Sequence, residues 1–108
     1  MNVKEHLLAC LAEEAAEVVQ CATKSLRFGL DDRNVLNPTG PTNRERLISE
    51  LNDMRAVIKM LEAEGVLPMS WEHDHAMHNK VAKVLRFIKY AKEHGALKDD
   101  ALGEGRLG

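Results

Sequence analysis

Apolar residues return at helical spacing in three long blocks separated by two breaks. In the first block Leu7, Leu8, Leu11, Ala15, Val18, Val19, Ala22 and Leu26 recur on one side of a helix predicted from about Val3 to Phe28. Gly29 is its natural stop. The stretch Leu30 to Pro41 carries Asp31-Asp32, Asn34, Asn37-Pro38 and Gly40-Pro41, which is loop chemistry. Such a connection is long for a small bundle and marks a candidate substrate loop. Thr42-Asn43-Arg44-Glu45 reads as a capping box with Thr42 as N-cap. The second helix then carries Leu47, Ile48, Leu51, Met54, Val57, Ile58 and Leu61 and stops near Gly65. After the break at Pro68, Ser70 is the expected cap of a third helix from about Trp71 to His94. Its apolar positions are Met77, Val81, Val84, Leu85, Ile88 and Ala91.

This pattern predicts an all-α fold, an antiparallel helical bundle, with no strand alternation and no internal repeat. Residues 1–95 would form one domain and 96–108 a polar, mobile tail. Three helices of such length are too long for a compact chain of 108 residues, whose radius of gyration would be about 13 Å. The second and third helices also carry wider apolar arcs than one neighbour covers. Oligomerisation into four-helix-bundle units, as a homodimer or homotetramer, resolves both points.

Composition narrows the function classes. Only four residues are aromatic, and the apolar set is dominated by Leu, Ala, Val, Ile and Met, which suits helix packing. With a net charge of −2 and interspersed signs, the chain lacks the basic footprint of a nucleic-acid binder. No signal-peptide pattern or apolar run of membrane-spanning length occurs, so neither membrane nor nucleic acid is an expected partner, and the expected location is cytoplasmic. Cys10 and Cys21 sit eleven helical residues apart, roughly 16 Å, too far for a disulfide; they are expected to be reduced core thiols.

Two acidic clusters carry the candidate chemistry. Glu13-Glu14-Ala15-Ala16-Glu17 lies on the first helix and Glu50-Leu51-Asn52-Asp53 on the second. Carboxylates three residues apart project from one side of a helix. Measured from Leu11, Glu14 falls at about −60°, inside the apolar arc, and Glu17 at about −120°, on its margin. Measured from Leu47, Glu50 and Asp53 repeat those angles of about −60° and −120°. A carboxylate inside an apolar arc is costly without a partner, and two helices that share the placement suggest a shared ligand. If the helices pack antiparallel, four carboxylates converge, and an all-oxygen site favours Mg²⁺ or Mn²⁺. The alternative is salt bridging to Lys24, Arg27, Arg46 or Arg55, within a helical bundle that acts as a non-enzymatic assembly or binding module. A ferritin-like di-iron site would need Glu-x-x-His motifs, which neither cluster supplies.

Gln20, Lys24 and Arg27 continue along the first helix, where cations can meet a polyphosphate or simply favour the helix C-terminus. On the third helix Asn79, Lys80 and Lys83 can offer donors to a substrate or face water. The run Trp71-Glu72-His73-Asp74-His75-Ala76-Met77-His78 reads as surface histidines rather than a zinc site, having neither a nearby Cys nor an HExxH pattern.

EExxE on one helix followed by ExxD on the next is the signature of the all-α nucleoside triphosphate pyrophosphohydrolases, and the chain resembles their small MazG-like members, many of them phage-encoded. Lys24-Ser25-Leu26-Arg27-Phe28-Gly29 is similar to the KxxRFG run that often follows in that group. The resemblance covers roughly residues 5 to 92. It implies Glu14, Glu17, Glu50 and Asp53 as Mg²⁺ ligands, with Mn²⁺ as a substitute, and Glu13 as an outer-shell residue or helper of a second ion. It implies a nucleoside or deoxynucleoside triphosphate as substrate, cleaved between the α- and β-phosphates to a monophosphate and pyrophosphate. It also implies an oligomer, acting in the host cytoplasm if phage-encoded. The segment Asn37 to Pro41 lengthens the gap between motifs beyond that of many members.

Overall fold

In a computed structural model, which describes residues 1–98, the described chain is all-helical: α1 (Val3–Phe28), α2 (Asn43–Ala63) and α3 (Asp74–Glu93). It divides into two compact units, residues 1–69 with α1 and α2, and a second unit from Ser70 onward with α3.

In the first unit, α1 starts at Asn2, whose side-chain oxygen accepts from the Glu5 N–H at 2.8 Å. It ends at Gly29, which takes φ of +100°, a value costly for any side chain. The connection to α2 is built, not slack. The Leu36 N–H donates to Asn34 Oδ1, and successive turns run from Asn34 to Asn37 and from Asn37 to Gly40. Arg33 Nε donates to the Gly40 carbonyl at 3.0 Å, and Arg33 pairs with Thr42 in an isolated antiparallel bridge.

The expected capping box opens α2: the Glu45 N–H donates to Thr42 Oγ1, and Glu45 Oε1 accepts from the Thr42 N–H, both at 3.1 Å. The Thr42 backbone N–H, then its hydroxyl, and more weakly Arg33 hold the Glu45 carboxyl below the ordinary range. Asn43 is buried and donates from Nδ2 to the Gly29 carbonyl at 2.9 Å, fastening the start of α2 to the end of α1. A Schellman motif closes α2, with Val66 N–H bonded to the Leu61 carbonyl and Gly65 N–H to that of Glu62.

Asn43 lies against Gly29, and further along both helices Glu14 lies against Glu50, so α1 and α2 run antiparallel. Leu7 on α1 and Leu61 on α2 are the buried apolar side chains among the described residues, Leu61 completely so. The covered stripe of α1 runs through Leu7, Leu11, Glu14, Val18, Cys21 and Ser25, and that of α2 through Asn43, Leu47, Glu50, Met54, Val57 and Leu61. This corrects the wheel reading. Because α2 covers only part of the wide apolar arc of α1, Val19 and Leu26 stay 64% and 87% exposed. Glu14 is therefore at the middle of the covered stripe rather than 60° from it. Cys10 and Cys21 are free thiols, as expected, but half-buried rather than in the core.

The third helix begins later than its sequence suggests. Ser70 is not the cap: residues 71–73 stay out of the helix, and His73 Nδ1 accepts from the Ala76 N–H at 3.2 Å. An imidazole nitrogen does here the work usually given to a hydroxyl or carboxylate. Residues 99–108, most of the expected tail, lie outside the described residues. No described helix is long and apolar enough to cross a membrane.

Candidate metal centre

The antiparallel pairing brings three of the four predicted ligands together. One carboxylate oxygen each from Glu14, Glu50 and Asp53 lies within 4.8 Å of the others, the one such group among the described residues. Glu14 and Glu50 are half-buried and Asp53 is exposed, so the cluster opens outward on the Asp53 side. Glu17 stands beside it and hydrogen-bonds the Glu50 carboxyl. Glu13 is exposed.

The electrostatics are unfavourable without a partner. The Glu50 carboxyl is pushed up to about 7, first by the hydrogen bond with Glu17, then by desolvation, then by repulsion from Glu17, Asp53 and Glu14. Oε2 of Glu14 and Oε2 of Glu50 are both buried without a hydrogen-bond partner. Buried acceptors are nearly always satisfied, so two orphaned oxygens at the middle of a helix interface need an explanation. A hard divalent cation supplies one, because the donor set is entirely carboxylate oxygen. Salt bridging does not: no Lys or Arg pairs with Glu14 or Glu50 among the described residues.

Lys24 lines a cavity of about 260 Å³ at the loop end of the hairpin. Gln20 is exposed, and Arg27 lies outside that cavity with its guanidinium 4.8 Å from the centre of the Phe28 ring. Asn79, Lys80 and Lys83 are exposed on α3 in the second unit, where Lys83 Nζ lies 6.0 Å from the centre of the Phe87 ring. His73 and His75 meet edge to face at 6.2 Å. The same cavity is lined by residues the sequence did not point to: Arg33, Asn34 and Asn43, together with Arg46, which had entered only as a salt-bridge candidate. Spacing did hold a signal for Arg46, which precedes Glu50 by one turn. Nothing local marked Arg33.

No protein-family model matches the chain, and comparison with curated proteins and with solved structures found no match.

Proposed function

We propose that the chain is a Mg²⁺-dependent nucleoside triphosphate pyrophosphohydrolase of the MazG-like kind. The observation that carries the reading is the pair of orphaned carboxylate oxygens, Glu14 Oε2 and Glu50 Oε2, at the centre of a two-helix interface and within reach of Asp53. Glu14, Glu50 and Asp53 would hold the cation, with Glu17 beside them. When bound, Mg²⁺ neutralises phosphate oxygens and makes a coordinated water more acidic. The protein's own part is to position and to move a proton. A water attacks the α-phosphorus, the bond from that phosphorus to the α,β-bridging oxygen breaks, and pyrophosphate leaves. Glu17 stands next to the triplet rather than within it, hydrogen-bonded to Glu50, and once the cation holds Glu50 its carboxylate would take the water's proton.

The test is a panel of all common nucleoside and deoxynucleoside triphosphates with Mg²⁺ and products resolved. Monophosphate plus pyrophosphate is the expected outcome. Diphosphate plus phosphate, or no turnover of any member, would overturn the reading.

The same reading includes a homo-oligomer. Within the first unit, Val19 and Leu26 on α1 and Ile48, Leu51 and Met60 on α2 are large apolar residues left exposed, more than a lone hairpin tolerates. A second copy covering them would complete a four-helix unit. Sedimentation equilibrium at micromolar concentration is expected to give a mass of at least twice 12.1 kDa. A single 12.1 kDa species with full specific activity would exclude the oligomer.

A further inference from the structure

The cavity at the loop end of the hairpin is assembled from three separate stretches of the first unit. Lys24 and Phe28 come from α1, Asp32 to Val35 from the connection, and Asn43 and Arg46 from α2. Its lining holds three cations, Lys24, Arg33 and Arg46, against one carboxylate, Asp32. The side chains of Lys24 and Arg46 have no hydrogen bond or ion pair among the described residues, and Arg46 is half-buried. Arg33 is anchored through Nε to the Gly40 carbonyl, which leaves its terminal nitrogens available. A partly desolvated guanidinium without a counter-charge is unfavourable, and arginine pairs well with phosphate oxygens.

The backbone at the start of α2 does not compete for such an anion. The N–H groups of Asn43, Arg44, Glu45 and Arg46 already donate to Asp32, Leu30, Thr42 Oγ1 and the Thr42 carbonyl. At the start of α2 only side chains remain to bind it.

Position and size identify the anion. Arg46 precedes Glu50 by four residues, about 6 Å along the helix, roughly the span of two phosphate units. Lys24 follows Glu17 by seven residues, on the same side of α1. The cavity of about 260 Å³ is smaller than the ~300–1,000 Å³ typical of pockets that enclose a whole small-molecule ligand. It suits one part of a nucleotide. A neutral base there would leave three cations facing the single lining carboxylate, Asp32.

We propose that this cavity is the subsite for the two outer phosphates of the substrate and retains pyrophosphate after cleavage, with Lys24, Arg33 and Arg46 as its anion-binding residues. The assignment rests on the hydrolase reading for the identity of the anion. It has a consequence for selectivity: the nucleoside points away from the long connection, so that segment grips phosphate and does not choose the base.

The experiment is calorimetric titration of inorganic pyrophosphate into the full chain in EDTA, so that no divalent metal takes part. Wild type is expected to bind one equivalent per chain, more weakly as salt rises. Arg33→Ala and Arg46→Gln should each bind at least tenfold more weakly. Arg46→Gln keeps most of the aliphatic stem, and an unchanged circular-dichroism spectrum would assign its loss to charge. Glu50→Gln, which alters the carboxylate cluster, should bind as tightly as wild type or more so. Inorganic orthophosphate should bind at least tenfold more weakly than pyrophosphate. Wild-type affinity in both arginine variants, or equal affinity for the two anions, would overturn the subsite. Turnover without the arginine effect overturns the subsite alone. The arginine effect without turnover overturns the hydrolase reading and leaves a polyphosphate-binding cavity.

Discussion

Glu50→Ala is expected to abolish specific Mn²⁺ binding and to lower turnover by well over ~100-fold, because loss of even an outer-shell partner of a metal ligand costs about 10–100-fold. Glu14→Ala should do the same. Both residues place an otherwise orphaned oxygen at the centre of the α1–α2 interface, and each supplies one of the three oxygens that converge there. Asp53→Asn removes the third and most exposed donor and should weaken Mn²⁺ binding and turnover together. Glu17→Gln is expected to behave differently. Glu17 stands outside the triplet and contacts it through Glu50, so its amide variant should retain most of the Mn²⁺ affinity while turnover falls by about 10²–10⁴-fold, the usual contribution of a positioned general base. Equilibrium Mn²⁺ titration beside steady-state kinetics separates the two classes. Equal loss of metal affinity in Glu17→Gln and Asp53→Asn would place Glu17 among the ligands instead. Near-wild-type turnover in all four variants would remove the cluster from the mechanism.

The helices were legible in the sequence because each signal was local. Thr42 and Glu45 form the reciprocal cap that their spacing announces, and Gly29 and Gly65 terminate helices at positive φ. The start of α3 was misread because hydroxyls are common caps and imidazoles are not, yet His73 is the residue whose ring nitrogen meets the Ala76 N–H. The convergence of Glu14, Glu50 and Asp53 was legible because two matched wheel positions constrain each other once the helices are antiparallel. Their centrality was not. The apolar arc of α1 is wider than one partner covers, and a helical wheel cannot say which half will be covered. Arg33 was out of reach for a different reason. Its position depends on a chain of turns from Asn34 through Gly40 that folds the connection back onto Thr42, and no periodicity encodes where such a segment returns.

Metal-free protein is expected to lose stability as pH rises towards neutrality, and divalent metal should reverse this. The Glu50 carboxyl has an ordinary value of 4.5 and is raised to about 7 in the folded chain. A carboxyl with a raised folded value favours the fold while protonated. That contribution is complete below 4.5 and is lost as pH climbs through about 7. Glu45 acts in the opposite sense, since its folded value is lowered: its contribution is present above 4.5 and lost in more acidic solution. In EDTA the melting temperature should therefore decline from about pH 5 to pH 8. Glu50→Gln, which mimics the protonated acid, should flatten that decline and melt higher than wild type at pH 8. Mn²⁺ or Mg²⁺ should favour the deprotonated cluster and so stabilise more at pH 8 than at pH 6. At a hundredfold excess over Kd the linkage is about 2.7 kcal/mol, a rise in Tm on the order of 10 °C for a chain of this size. Glu50→Gln should lose most of that rise even though its metal-free form is the more stable. Thermal unfolding followed by circular dichroism, at matched ionic strength with NaCl as control, measures each of these. An equal rise with NaCl, or a Glu50→Gln variant that follows the wild-type pH curve and metal response, would show that the cluster is neither strained by its own charge nor relieved by a bound cation.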